Sequence, residues 1–224
     1  YGLTMAIFPS SAIPSGAEAF TIDQSLRFND DDTPYLEWTP GSAGNRKTWT
    51  WSGWVKRGDA DDQVFFSAGT SDSNYWNLRF QPDYISVVSE DTSASVVLRT
   101  DALYRDHSAW YHIVLAMDTT QGVAANRFKL YVNGEQKTDF SEEVYPDEDH
   151  EGLVNDANAH HFGRSARTTD RRPFDGYLAE VHFIDGTALT PTSFGETGDY
   201  GEWKAKEVSG LTYGTNGFYL SFAG

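Results

Sequence analysis

From Phe20 onward the chain is a series of short runs in which apolar and polar residues alternate. Glycine, aspartate, asparagine and proline separate one run from the next. The clearest run extends from Trp49 to Lys56 and places Trp49, Trp51 and Val55 on one face. A period of two positions is typical of a β strand with one buried face. The pattern therefore predicts an all-β protein.

Five further runs have the same period, and another is apolar on both faces. The five predicted strands are Ser25–Phe28, Gln63–Ala68, Trp76–Gln81, Ile85–Ser89 and Ser95–Thr100. The run Trp110–Asp118 has apolar residues at successive positions. Because such a strand needs cover on each side, we expect Trp110–Asp118 to be a central strand.

Two Xaa-Gly pairs predict hairpins. Asn133-Gly134 separates residues 127–132 from residues 135–138, and both of its residues tolerate the positive φ angles of a type I′ turn. Asp185-Gly186 follows the predicted strand Tyr177–Ile184 in a similar way. We therefore expect a tight turn between paired strands at each position.

Helix signals are confined to short turns near residues 104–109 and 191–195. The prediction is an all-β fold with almost no helix, in which residues 20–224 form one domain. Its architecture is a sandwich of two packed antiparallel sheets.

Residues 1–19 follow neither the strand period nor the helix period. We interpret them as an extended N-terminal arm. One interpretation has the arm lying on its own domain. The other has it docking on a neighbouring subunit, because its apolar side chains would otherwise face water: Met5, Ile7, Phe8 and Ile13.

Charge and composition exclude several classes of function. The 224 residues include 33 acidic and 17 basic ones, for a formal net charge of −16. Such a chain repels phosphate backbones, so a nucleic-acid partner is not expected. The absence of cysteine excludes disulfides, thiolate catalysis and zinc–thiolate sites. No apolar run is long enough to predict a membrane span.

Three groups of segments together resemble a known family. They are WYHIVLAMD (110–118) leading to FKLYVNG (128–134), FDGYLAEVHFIDGTAL (174–189), and SLRF (25–28) with GFYLSF (217–222). The resemblance is to the laminin-G-like, concanavalin A-like lectin/glucanase sandwiches and covers roughly residues 20–222. The segment GNRKTWTWSGWVK (44–56) resembles the version found in structural proteins of marine bacteriophages.

The resemblance implies a jelly roll whose first and last strands lie side by side. It also implies that Phe174 and Tyr177 belong to the core at the start of a strand. Relatives of this fold include glucanases, and many laminin-G-like modules carry calcium on one rim of the sandwich. Both properties are expectations to be weighed against the residues of this chain.

The residues give little support to catalysis. Retaining glucanases need two carboxylates about 5–5.5 Å apart, and their Glu-x-Asp-x-x-Glu pattern is missing here. Glu180 has His182, not an acid, two positions away. No Gly-x-Ser-x-Gly elbow is present. Adjacent His160 and His161 would point to opposite faces of a strand. We therefore expect no enzymatic activity, although a Ser/His/Asp arrangement assembled from distant positions stays open.

Four loops have the composition of calcium ligands, which are oxygen atoms. They are Asn29–Asp32, Asp59–Asp62, Asp147–Glu151 and Asn155–Asn158. None matches a defined calcium-binding loop, and solvated acidic loops are the alternative. Asp147 and Asp149 are the candidate ligands, because Asp-x-Asp in a long loop can wrap an ion.

Two segments are candidates for binding a sugar. Tyr75 and Trp76 lie in the sequence SDSNYWN, where alternation sends one ring to the core and leaves the other free for stacking. Positive charge is concentrated in a second segment, at Arg164, Arg167, Arg171 and Arg172. These arginines would hold an anionic glycan or an acidic neighbour, with a solvated loop as the alternative.

The leading hypothesis is a non-catalytic virion protein, either a tail-fibre or spike module or a capsid decoration. Its sandwich would face outward from the particle to bind host-surface glycans. Residues 1–19 would attach it to other virion proteins, and we expect a homo-oligomer. A purely structural protein that stabilises the capsid without a ligand is the alternative, and a glucanase-type hydrolase is the remote one.

Overall fold

The computed structural model describes residues 20–91 and 95–223, so the predicted arm at residues 1–19 lies outside the described residues. The described chain is mostly β strand. In chain order the strands are β1 (Leu26–Phe28), β2 (Leu36–Trp38), β3 (Thr48–Arg57), β4 (Gln63–Ser71), β5 (Asn74–Gln81), β6 (Tyr84–Glu90), β7 (Ser95–Thr100), β8 (Tyr111–Asp118), β9 (Phe128–Val132), β10 (Glu135–Gln136), β11 (Phe140–Val144), β12 (Ala159–Phe162), β13 (Gly176–Asp185), β14 (Gly195–Thr197), β15 (Trp203–Ala205) and β16 (Phe218–Leu220).

The helical elements are short. One turn of α helix, α1, spans Ala124–Arg127, and two 3₁₀ turns span Asp30–Asp32 and Pro191–Ser193. Within the described ranges, no helix has the length and apolar character needed to cross a bilayer.

The strands form two large antiparallel sheets that pack face to face. Sheet A has the order β1-β13-β3-β8-β9-β10, and β16 also pairs with β13. Sheet B has the order β11-β7-β6-β5-β4-β12-β2, and β14 pairs with β15 in a separate ribbon. This arrangement confirms the predicted sandwich of two antiparallel sheets.

The core between the sheets is rich in aromatic rings. Trp49, Trp51 and Val55 of β3 are buried on one face, as the alternation predicts. The ring of Trp51 stacks on Phe66 of sheet B, with ring centres 5.8 Å apart, and Trp49 meets Trp76 edge-on at 5.8 Å. Burial of these large apolar surfaces is the main force that holds the sheets together.

Strand β8 is covered on both faces, as predicted for Trp110–Asp118. Its inner face packs in the main core, whereas Val114 and Ala116 belong to a second cluster on the outer face of sheet A. Phe194 and Leu211, which follow β13 in the chain, pack in that second cluster. The C-terminal segment therefore closes this part of sheet A.

One predicted hairpin is confirmed and the other is wrong. Asn133 and Gly134 have φ angles of 50° and 82° between β9 and β10, as a type I′ turn requires. Among the described residues, no strand turns back directly onto β13 after Asp185-Gly186, and the next strand to pair with β13 is β16 at Phe218–Leu220. The Asp185 carboxylate instead accepts hydrogen bonds from the backbone N–H of Asn45 and Asn216, so three loops meet where the hairpin was expected.

The first and last strands do not lie side by side, contrary to the implication of the resemblance. β1 pairs with Gly176–Leu178 of β13, and β16 pairs with Val181–Phe183 of the same strand. The two short strands therefore lie end to end along one edge of β13. Glu180 separates them, with a φ of 48° at a register shift in β13.

The two residues assigned to the core by resemblance have different environments. Phe174 is fully buried against Phe28 and Phe65, as expected. Tyr177 is only half-buried, so its assignment to the core is wrong. Because Leu178 faces the core, alternation puts Tyr177 on the outer face of sheet A, where the guanidinium of Arg27 lies 5.1 Å from its ring centre.

Candidate functional site

Residues 164–172, the arginine loop, cross the outer face of sheet B. The hydroxyl of Ser67 on β4 donates to the backbone oxygen of Arg164 at 2.8 Å, and the hydroxyl of Ser165 donates to Asn77 Oδ1 on β5 at 2.9 Å. The Ser165 N–H donates to the Arg171 oxygen and closes the loop on itself. Because Ser67, Asn77 and Ser165 are buried, these bonds fix the loop to the sheet.

Two strand arginines share this face with the loop. Arg79 and Arg99 lie at outward positions of β5 and β7, since their neighbours Leu78 and Leu98 are core residues. Both guanidinium groups donate to Oε1 of Gln81. We call the outer surface that carries all six arginines the arginine face. Its members are Arg79, Arg99, Arg164, Arg167, Arg171 and Arg172.

Acidic side chains pair with most of these arginines. Asp62 pairs with Arg79 and Arg172, and Asp170 pairs with Arg167 and Arg172. The remaining pairs are Arg99 with Glu142, Arg164 with Glu37, and Arg167 with Asp72. Hydrogen bonds from the hydroxyl of Thr168 and from the Thr169 backbone lower the pKa of Asp72 to about 2, so it stays ionised. These acids hold the face in shape.

Arg171 differs from the other five. It is exposed, and in the described part of the chain it forms no ion pair with an acidic side chain. Burial, and then repulsion from Arg171, lower the pKa of Arg164. Burial, followed by repulsion from Arg164 and Arg171, also lowers the pKa of His161. One end of the arginine face therefore carries an excess of positive charge in a chain of net charge −16.

An aromatic side chain lies at the same end. The guanidinium of Arg164 stacks 3.2 Å from the ring centre of Tyr35, which is 44% exposed. His161 Nε2 lies 3.1 Å from the Glu37 carboxylate, and Arg164 approaches the same carboxylate at 3.8 Å. An anion placed here would meet two guanidinium groups beside a flat ring, which is a suitable arrangement for an acidic sugar.

The sequence-predicted sugar residues divide as follows. Arg164, Arg167, Arg171 and Arg172 all lie on the arginine face, and half-buried Tyr75 lies there too, with the Arg167 guanidinium 4.9 Å from its ring centre. Trp76 is 2% exposed and packs against Trp49 in the core, so its assignment as a ligand contact is wrong. Alternation predicted that the two rings would lie on opposite faces of the strand, and Trp76 is the one that faces the core.

Sequence reasoning missed Tyr35, Glu37 and His161 as members of this surface. The signal was present in Tyr35-Leu36-Glu37-Trp38, where polar and apolar residues alternate as in a strand. β2 pairs with β12 and brings Glu37 opposite His161. The adjacent histidines do point to opposite faces as predicted, since His160 Nε2 accepts the buried Asn155 N–H and His161 faces Glu37.

The predicted calcium ligands are not brought together with a third acid. Asp147 is exposed, and the Asp149 carboxylate pairs with Lys47 at 3.2 Å. Among the described residues, the acidic group close enough to share an ion comprises Asp30, Asp59 and Asp175, whose oxygens lie within 4.8 Å of one another. Asp30 and Asp59 belong to two of the four loops that composition selected.

These three carboxylates have partners of their own. Arg27 pairs with Asp175, and the Gln63 amide donates to Asp59. Burial, and then repulsion from Asp175 and Asp59, raise the pKa of Asp30. The group therefore repels itself when all three carboxylates are ionised.

We expect Asp30→Asn to raise the melting temperature at pH 7. A raised pKa in the folded state means that Asp30 supports folding at low pH and opposes it once it ionises. The gain should therefore shrink as the pH falls toward 3.8, the ordinary pKa of the group. Thermal denaturation from pH 3.5 to 7 measures this, with Asp139→Asn as the control, since Asp139 is exposed and lies outside the acidic group. A gain that is equal at all pH values would contradict the repulsion.

A buried serine–histidine pair is not arranged for nucleophilic catalysis. His112 Nε2 lies 2.9 Å from the Ser52 hydroxyl, and the Trp203 indole N–H donates to His112 Nδ1 at 3.0 Å. Because an indole can only donate, Nδ1 is the acceptor and the proton sits on Nε2, which donates to Ser52. A nitrogen that already donates to the hydroxyl cannot remove its proton. Ser52 is also fully buried.

Glu180 is likewise engaged. The Tyr219 hydroxyl lies 2.8 and 2.9 Å from the two oxygens of its carboxylate, and burial raises its pKa. Glu180 and the Ser52–His112 pair therefore each form hydrogen bonds with side chains of the fold itself.

Comparison with known proteins identifies the fold. A family model described as the concanavalin A-like lectin/glucanases superfamily matches residues 30–193. No curated protein sequence matches the chain at a significant level.

Solved structures share the fold at low sequence identity. Domains LG4-5 of the mouse laminin α1 chain superimpose with a TM-score of 0.54 at 11% identity, over 84% of this chain and 50% of theirs. The enzymatically active domain of bacteriophage CBA120 tailspike protein 2 gives 0.52 at 14%, over 76% and 26%. The CBM40 module of the Ruminococcus gnavus IT-sialidase gives 0.50 at 14%, over 71% and 95%. The chain thus spans about half of the laminin pair and a quarter of the tailspike domain.

Proposed function

Because this chain belongs to the concanavalin A-like lectin/glucanase superfamily, we propose that it is a non-catalytic module that binds an acidic glycan on its arginine face. The observation that carries the proposal is Arg171, which is exposed and without an acidic partner in the described chain, beside the partly buried Arg164. An anionic sugar would relieve the repulsion between these two groups. Charge-assisted bonds to guanidinium groups are strong enough for recognition.

The non-catalytic part of the proposal is supported by the buried Ser52–His112 pair and by the engaged Glu180 carboxylate. Neither offers a free base or nucleophile to a substrate. Incubation with a laminarin-type glucan tests this part directly. The chain-length profile of the glucan should stay unchanged, whereas shortening would make the protein a hydrolase.

The biological context that we propose is the outer surface of a phage particle. The resemblance of residues 44–56 to marine phage structural proteins supports this context. The fold that the chain shares with a phage tailspike domain is consistent with it. In this account residues 1–19 attach the module to other virion proteins, and the arginine face points outward. A homo-oligomer is expected, as in other particle proteins of closed symmetry.

Deletion of residues 1–19 should leave a folded sandwich that no longer attaches to particles. The described core is formed by residues between Leu26 and Phe222, so the melting temperature should change little. Co-sedimentation with particles that lack the protein measures attachment. Attachment that survives the deletion would contradict the anchoring role.

A purely structural role is the second candidate, and the ion pairs of the arginine face favour it. Five of the six arginines have acidic partners that could serve only to hold the loop on sheet B. Under this alternative the protein stabilises the capsid and binds no glycan.

Binding to host envelope polysaccharide separates the two candidates. It is measured once with calcium and once with a chelator, at low and at high salt. The arginine face predicts binding that survives the chelator and weakens with salt, because exposed charges are screened. Calcium-dependent binding would indicate that the glycan binds at acidic loops and not on the arginine face. No binding under any condition would favour the structural role.

A further inference from the structure

An apolar groove lies where the two sheets meet along one edge of the sandwich. Its volume is about 550 Å³. β2 and β16 border it, and in the described chain β2 is the last strand of sheet B while β16 lies beside β13 at the edge of sheet A. The large apolar side chains that line the groove are Leu36, Trp38, Phe162, Phe218 and Leu220. We call it the edge groove.

Contacts between aromatic rings fix the floor of the edge groove. Trp38 meets Phe218 edge-on with ring centres 5.0 Å apart, and the ring centres of Trp38 and Phe183 lie 5.9 Å apart. Phe162 lies 6.1 Å from Phe218 by the same measure. At the rim, Leu36 is 38% exposed. An apolar surface that is already in shape needs little ordering to receive an apolar segment.

The edge groove carries little charge, and one segment of this acidic chain matches it. Glu37 is the only charged residue among the described residues that line the groove, and its carboxylate lies 3.1 Å from His161 Nε2. Residues 1–17 contain no acidic or basic side chain and no histidine, in a chain of net charge −16. An acidic surface of a second copy would be repelled, whereas an uncharged segment would not. Composition therefore favours this segment as the occupant.

The sequence of the segment suits binding beside an edge strand. Its apolar residues Met5, Ile7 and Phe8 stand close together, and Phe8 precedes Pro9. The position before a proline disfavours the helical conformation and favours an extended one. An extended peptide can pair along the exposed edge of a sheet and place its apolar side chains in the hollow beside that edge. β2 is such an edge strand.

The path of the chain favours the groove of a neighbouring copy over its own. Residues 21–25 surround one surface hollow together with Trp54 of β3 and Trp110, which precedes β8. β3 and β8 lie in the middle of sheet A, whereas the groove lies at its β16 edge. The described chain therefore starts away from its own groove. Residues 1–19 reach about 60 Å when extended, which exceeds the diameter of roughly 40 Å expected for a domain of about 200 residues.

We propose that residues 5–8 of one copy dock in the edge groove of a second copy of this chain. The contact is heterologous, because the segment of one copy meets the groove of the next, and a closed ring uses every segment and every groove. The inference goes beyond glycan recognition and does not depend on it. It adds a second copy of the chain to the partners proposed for residues 1–19.

Light scattering coupled to gel filtration of the full chain tests the proposal. The wild-type chain should form a discrete oligomer. Ile7→Asp in the segment and Leu36→Asp in the groove should each give the mass of one chain, because each puts a carboxylate into an apolar contact. Equal parts of the two variants should form a heterodimer, since the first keeps an intact groove and the second keeps an intact segment. Exchange between copies predicts this rescue.

The matched control is Val123→Asp, which makes the same kind of change at a side chain that is 62% exposed and lies outside the groove. It should leave the oligomer intact. Arg171→Glu should also leave it intact, so failure of the acidic-glycan site is distinguishable from failure of this one. The mass is measured without particles, so pairing of copies is also separate from attachment to the particle.

A second groove variant covers the case in which Leu36→Asp does not fold. Thr215 is exposed and lines the groove, so Thr215→Arg should block it without disturbing the core. The proposal is overturned if the wild-type chain has the mass of a single chain in solution. It is also overturned if the oligomer persists in Ile7→Asp or in a folded groove variant, or if the segment variant and a folded groove variant form no heterodimer.

Discussion

Arg171→Glu is expected to weaken binding of an acidic polysaccharide at least about tenfold. The substitution would remove one guanidinium from the site, and the new carboxylate would attract Arg164, whose pKa is now lowered by burial and by repulsion from Arg171. Because residue 171 is exposed, the variant should melt at nearly the wild-type temperature. Biolayer interferometry with immobilised polysaccharide measures the loss.

The matched control for this charge reversal is Arg105→Glu. Arg105 is 69% exposed, is not one of the six arginines of the arginine face and pairs with Asp83. Its replacement by glutamate makes the same change of net charge. It should have little effect on binding. Equal losses in the two variants would mean that only the net charge of the chain matters, which would contradict a site at Arg171.

Trp51→Ala should lower the free energy of unfolding by about 3–5 kcal/mol. Trp51 is fully buried and its ring stacks on Phe66. The ring centres of Trp51 and Phe65 lie 6.0 Å apart. It also fills the space beside Gly53, where a Cβ atom would come within 2.8 Å of the indole. Truncation therefore removes a contact between the two sheets at the centre of the core and leaves a cavity.

Urea denaturation measures this loss, with Tyr200→Ala as the control. Since Tyr200 is 97% exposed, its truncation should change the stability by no more than about 0.5 kcal/mol. Trp51→Phe should cost less than Trp51→Ala, because it keeps most of the ring and removes a buried indole N–H that has no acceptor among the described residues. A loss below about 1 kcal/mol in Trp51→Ala would contradict the packing account.

Local patterns predicted much of this fold. The alternation in β3 identified the buried face with Trp49 and Trp51, and the apolar run of β8 identified a strand covered on both sides. The Asn133-Gly134 turn followed from its φ requirements. In each case the physical cause lies within a few neighbouring residues.

Features that depend on distant pairing could not be predicted. β2 and β12 are short strands of three and four residues, and their composition gave too little signal to place Glu37 opposite His161. The end-to-end arrangement of β1 and β16 depends on the ten-residue length of β13. For these elements the partner strand, rather than the local sequence, decides the structure.

The candidate site was predicted in part for the same reason. The density of arginines in residues 164–172 was visible, but the contribution of Arg79 and Arg99 required the order of strands in sheet B. Asp30, Asp59 and Asp175 meet from three loops that are far apart in sequence. The choice between Tyr75 and Trp76 required the core contact of Trp76 with Trp49.

Chemical reduction of the carboxyl groups of one host polysaccharide provides the most direct test of the central claim. The reduced polymer keeps its backbone and hydroxyls but loses the charge that Arg164 and Arg171 are proposed to recognise. The account predicts that the wild-type chain binds the native polymer. It also predicts that the affinity of the wild-type chain for the reduced polymer is no higher than the affinity of the Arg171→Glu variant for the native polymer. Equal affinity of the wild-type chain for both polymers would contradict the account.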